Sequence, residues 1–70
     1  MKEVSMPISG KELIKILNRL GWTCVRVTGS HYIMRKGSQT VVVPCHREDL
    51  PRKTLKNILA GTGPIDGVKL

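Results

Sequence analysis

Between Gly21 and Pro44 the hydrophobic pattern changes its period from the 3.6 residues of a helix to two, and two short Gly-Ser turns cut that stretch into three. Thr23, Val25 and Val27 alternate with Cys24 and Arg26, and Ile33 alternates with Tyr32 and Met34. Thr28-Gly29-Ser30 and Lys36-Gly37-Ser38 have the length and residue types of tight hairpin connections. Links this short join neighbouring strands only in opposite directions, because a parallel pair needs a crossover of a dozen residues or more. The stretch is therefore predicted as a three-stranded antiparallel meander whose last strand runs from Thr40 to Val43. Pro44 closes that strand, since it has no amide to give to a ladder.

Helical patterns flank the meander. Ser9-Gly10-Lys11-Glu12 has the S-x-x-E form of a capping box, with Ile8 and Leu13 placed to clasp each other across it. Leu13, Ile16, Leu17 and Leu20 follow at helical spacing, with Ile14 widening the stripe and Lys11, Lys15 and Arg19 on the other side. A left-handed Gly21 ends this helix and turns Trp22 back onto Leu17. Cys45 to Leu50 reads as a polar loop. Pro51 suits the first turn of a second helix, Leu55, Ile58 and Leu59 supply its apolar face, and Gly61 is predicted to stop it. Thr62 to Leu70, with Gly63, Pro64 and Gly67, reads as an irregular tail from which Ile65 or Val68 docks on the core.

Seventy residues make one domain, residues 1–70, with a core over about 8–61 and the tail over 62–70. A meander has one face to bury and two amphipathic helices to bury it with. The predicted fold class is α+β: an α-β-β-β-α order, three antiparallel strands and two helices on one face, resembling a double-stranded-RNA-binding domain.

Twelve Lys and Arg against five Asp and Glu give a net charge of +7 and suit a polyanionic or acidic partner. No stretch approaches the roughly 20 apolar residues that span a bilayer, and Met1 to Pro7 lacks a signal peptide's apolar run, so a cytoplasmic protein without membrane attachment is expected. In that compartment Cys24 and Cys45 are expected to stay reduced. Together with His31 and His46 they have metal-ligand atoms, but not the paired spacing of a structural zinc site, and no motif for a small-molecule cofactor is present.

The chemistry-bearing stretch is Gly29-Ser30-His31, leading into Tyr32-Ile33-Met34-Arg35-Lys36. An imidazole there can take the proton of a ribose 2′-hydroxyl, so that this oxygen attacks the neighbouring phosphorus and expels the 5′-oxygen without a metal. Gly29 lets a phosphate approach the backbone, and the Ser30 hydroxyl can orient an oxygen. His46 follows the third strand, near enough in an antiparallel pair to serve as general acid. The other reading of His31 is a strand histidine bonded locally, and that of His46 an exposed loop residue. Arg35, Lys36, Arg52, Lys53 and Lys56 are candidate RNA-binding residues, the last three beside a helix start that favours anions.

Taken together, Ser9-Gly10-Lys11-Glu12-Leu13, Leu20-Gly21-Trp22, Gly29-Ser30-His31, Val43-Pro44-Cys45-His46 and Thr54-Leu55-Lys56-Asn57-Ile58-Leu59 resemble the HicA-type, or YcfA-like, toxins of bacterial toxin–antitoxin pairs. The resemblance covers nearly everything from Ser9 to Gly61 and implies a messenger-RNA interferase of the stress response. It further implies a catalytic histidine at His31 and a HicB-type antitoxin as protein partner. Trp22, the Pro51-Arg52-Lys53 turn and the longer tail depart from the usual pattern. The expected activity is metal-independent endonucleolytic cleavage of messenger RNA. The rival readings are a non-catalytic double-stranded-RNA-binding module and a basic module that meets an acidic protein.

Overall fold

The computed structural model describes residues 8–66 and residue 68. The readings made on residues 1–7 and on the last residues of the tail fall outside them. Five elements follow in the expected order: α1 (Gly10–Arg19), β1 (Thr23–Thr28), β2 (His31–Lys36), β3 (Gln39–Pro44) and α2 (Arg52–Thr62). The strands form one antiparallel sheet in the order β1-β2-β3. The fold is thus the α-β-β-β-α class read from the sequence.

Both ends of α1 are set by local chemistry. The Ser9 hydroxyl accepts from the Glu12 amide at 3.1 Å, and a Glu12 carboxylate oxygen accepts from the Ser9 amide at 3.1 Å. Ile8 and Leu13 on either side of this box join the core. At the far end Gly21 has a φ of 97°, and the Trp22 amide donates to the Leu17 carbonyl at 2.9 Å. That backbone reversal returns the chain to Leu17, and Trp22 and Leu17 are both buried in the core.

Two-residue turns at Gly29-Ser30 and Gly37-Ser38 set the register, which pairs Thr28 with His31 and Lys36 with Gln39. Met34 pairs with Cys24 and Val41, and Tyr32 with Val43, so these residues share the covered face. Leu13, Leu17, Met34 and Val43 are fully buried, and Leu55 and Ile58 of α2 close the same cluster. His31, Ile33 and Arg35 consequently lie on the open face, with Pro44, Val42 and Thr40 opposite them on β3. Strand two therefore buries its Tyr32 and Met34 side, a choice that alternation alone left open.

Three sequence expectations need correction. Gly61 does not stop α2, which runs to Thr62 and ends at Gly63 with a φ of 84°. Gly61 lies inside the last turn because a Cβ there would come within 2.6 Å of Val41 Cγ1. Helix and strand meet at this point, and the glycine answers to packing. Pro51 stands one residue outside α2 as its cap, not within its first turn. Strict alternation in β1 also fails: a bulge between Cys24 and Arg26 leaves Val25 unpaired and puts both Thr23 and Arg26 on the open face. Val25 in the bulge and Val27 beyond it, on the outer strand β1, stay half exposed, 54% and 51%. In the tail, Ile65 and Val68 are both buried against the core.

Candidate active site

His31 is the first residue of β2, exposed on the open face at the rim of the sheet beside Pro44. Two depressions meet there, sharing His31, Pro44 and Thr54. One of about 370 Å³ also holds His46, Glu48, Asp49 and Pro51. The other, of about 450 Å³, runs along the junction of the open face with α2.

His46 reaches this place through contacts on both sides of the chain after β3. The Cys45 amide donates to the Ser30 carbonyl at 2.6 Å, tying the segment to the first hairpin turn. On the other side the Pro44 carbonyl packs against Gly10 at the place a Cβ would take, which is why a glycine begins α1. The Ser30 hydroxyl lies 3.4 Å from His46 Nε2. The sheet thus brings both histidines of the chain, 15 positions apart, to the walls of one depression.

The start of α2 faces the same place. Pro51 caps it without a side-chain hydrogen bond, and its first turn has no acidic residue. The first helical amides of Arg52, Lys53 and Thr54 precede the first intrahelical bond, Leu55 to the Pro51 carbonyl at 2.9 Å. Together with the dipole they form a positive end beside Thr54.

The basic residues singled out in the sequence divide. At about 100° per residue, Thr54, Asn57 and Gly61 share one flank of α2; Lys53 lies about 40° beyond Asn57, Lys56 about 60° further round, and Arg52 opposite the flank. Arg35 shares the open face with His31 but stands about 13 Å along the strand at 3.3 Å per residue. Lys36 is about 16 Å away on the same measure. Its ammonium donates to the Leu20 carbonyl at 2.8 Å, so it closes the C-terminus of α1. Arg35 and Lys36 therefore both stand away from His31 along the strand. Arg26, opposite Ile33 on the open face, adds a positive charge that sequence reading did not assign to the site because the bulge was not foreseen.

Thr54, Asn57, Glu48 and Asp49 were likewise missed. The 54-57-61 spacing of polar and small residues on one helical flank was a signal, and the carboxylates gave none. Cys24 and Cys45 carry free thiols. Among the described residues, no three His, Cys, Asp or Glu side chains gather as a metal site.

The model of a family described as the HicA toxin of bacterial toxin–antitoxin systems matches residues 10–63, well over half of the chain. The protein belongs to the HicA toxin family. The match takes in all five elements, both histidines and the two depressions that meet at His31. No match to a curated protein was found. As a HicA toxin the chain is one half of a toxin–antitoxin pair, in a family whose toxins generally cut RNA. Among the described residues, no helix is long and apolar enough to cross a membrane.

Proposed function

We propose that this HicA toxin is an endoribonuclease acting on messenger RNA in the cytoplasm, with His31 as general base and no metal in the reaction. The observation that carries this reading is an exposed imidazole at the meeting of two depressions, one of them walled by a second imidazole and by the open N-terminus of α2. A 2′-hydroxyl supplies its own nucleophile once a base removes its proton, so two imidazoles suffice for the proton traffic.

In the proposed cycle, His31 takes the 2′-hydroxyl proton and the 2′-oxygen bonds to the adjacent phosphorus. The bond from phosphorus to the 5′-oxygen breaks, and that oxygen takes a proton from His46. The products are a 2′,3′-cyclic phosphate and a 5′-hydroxyl end. Ser30 orients the His46 ring through its hydroxyl, and the Gly29 turn lets the strand approach. The amides and dipole at the start of α2, with Lys53 beside them, receive the phosphate's charge. Arg35 and Arg26 on the open face draw the flanking strand. Lys36, Arg52 and Lys56 add to the overall positive field at a distance. A HicB-type antitoxin would neutralise the protein by covering this positive face.

Cleavage of an RNA oligonucleotide in excess chelator tests the reading. It should persist, and it should vanish when the residue at the cut is 2′-deoxy or when His31 is replaced by Ala. RNA affinity should barely change in His31→Ala, because a neutral imidazole adds little to phosphate attraction. Cutting that requires a divalent ion, or that survives His31→Ala, refutes the mechanism. A protein that binds duplex RNA without turnover is instead the binding module.

A further inference from the structure

The 2′-oxygen that must meet His31 is carried by C2′ of its ribose, and the base is carried by C1′, one bond away. Whatever nucleotide is attacked from within must therefore place its base close to His31. The phosphate side of that nucleotide belongs to the depression with His46 and the start of α2. The second depression lies on the other side of the shared residues His31, Pro44 and Thr54.

This second groove holds about 450 Å³ and is walled by Thr40 and Val42 of β3 and by Asn57 and Gly61 of α2. Its lining is mixed. Val42, 48% exposed, and Pro44 offer apolar surface of the kind on which a flat ring lies, and Thr40 and Asn57 offer polar groups at the walls. Gly61 contributes no side chain, which keeps the helical wall low. None of the side-chain hydrogen bonds found among the described residues engages the Asn57 amide. That amide presents one acceptor and two donors, the combination that pairs with adjacent groups on a base edge. Unstacked bases of single-stranded RNA are read in this way, on edges that a duplex would hide.

Resting on the nuclease reading above, we infer that this groove receives the base on the 5′ side of the cleaved phosphate and that Asn57 selects among bases by hydrogen bonding to the edge of that base. Asn57 is then a specificity residue: it sets which nucleotide presents its 2′-hydroxyl to His31, and it takes no part in proton transfer.

The test uses the four nucleoside 3′-monophosphates, which carry base, ribose and phosphate but no diester to cut, titrated into the full-length chain and followed by NMR. One base should bind about fivefold or more tightly than the weakest, as one or two good hydrogen bonds allow. The Asn57 side-chain amide signals should move with it. In Asn57→Ala, on an exposed helical flank where alanine folds well, the four affinities should fall within about twofold of one another, the discriminating bond being gone. Equal affinities in the parent protein, or a spread that survives Asn57→Ala, overturn the base subsite while leaving His31-dependent cleavage intact. Selective nucleotide binding by a chain that never cuts RNA overturns the role assigned to the groove together with the nuclease reading.

Discussion

A single methyl group added at Gly10 should disturb a site built more than 20 residues away. The position a Cβ would take at Gly10 is filled by the Pro44 carbonyl oxygen, with the Pro44 carbonyl carbon at 2.8 Å and Cys45 Cα at 3.4 Å. These are backbone atoms, so no rotamer change relieves the overlap. The segment is also held from its far side, where the Cys45 amide donates to Ser30 at 2.6 Å. Either α1 or the Pro44-Cys45 segment must move. Overpacking of this kind costs about 1–3 kcal/mol. The helix-propensity gain from Gly to Ala, up to about 1 kcal/mol in a helix interior, is smaller at the first helical position. A net loss near 2 kcal/mol corresponds to a fall in Tm of about 8–16 °C for a domain of this size. Because His46 follows Cys45, cleavage measured well below the new Tm should also fall, by about 10–100-fold for a displacement near 1 Å. Thermal melting of Gly10→Ala beside Lys11→Ala, an exposed neighbour, measures the first effect, and single-turnover RNA cleavage the second. A Gly10→Ala protein that melts within about 2 °C of the parent and cuts normally would refute the argument that this close approach positions His46.

Three further outcomes are expected. Lys36→Met removes the ammonium that closes α1 at Leu20 and should lower stability by about 0.5–1 kcal/mol in denaturant titration, with little change in the salt dependence of RNA binding. Lys53→Ala should weaken RNA binding and reduce its salt slope by about one, whereas Lys56→Ala, about 60° further round α2 from the Thr54-Asn57 flank, should change the slope by less in fluorescence anisotropy. Glu48→Gln takes one negative charge from the wall of the depression that holds His46 and should tighten RNA binding by about two- to fivefold at low salt, an effect that shrinks as salt is added.

Legibility followed the range of the interactions. The capping box at Ser9 and Glu12 and the reversal at Gly21 and Trp22 are each closed by groups within five residues of one another, and sequence reading placed them. The same holds for the two Gly-Ser turns, and through them for strand order and direction. The place of His31 at the start of a strand was also legible, from the Gly29-Ser30 turn before it. Errors arose where a residue answers to something distant in sequence. Gly61 looks like a helix stop but is small for the sake of Val41. Val25 looks like an ordinary strand residue but is the bulge.

Local physics written into the chain was enough to decide that this protein has a helix, a meander and a helix, and that an imidazole stands at the first turn of a basic sheet. Only tertiary structure decided which side of β2 is buried, since Tyr32 and Met34 could be told from His31 and Ile33 only by where the helices pack. Packing also decided that Thr54 stands between the two depressions that meet at His31 and that Asn57 lines one of them. A residue's bonding to its near neighbours is encoded in adjacent positions. Its place in a cleft depends on the docking of α2 against β3, which no short segment specifies by itself.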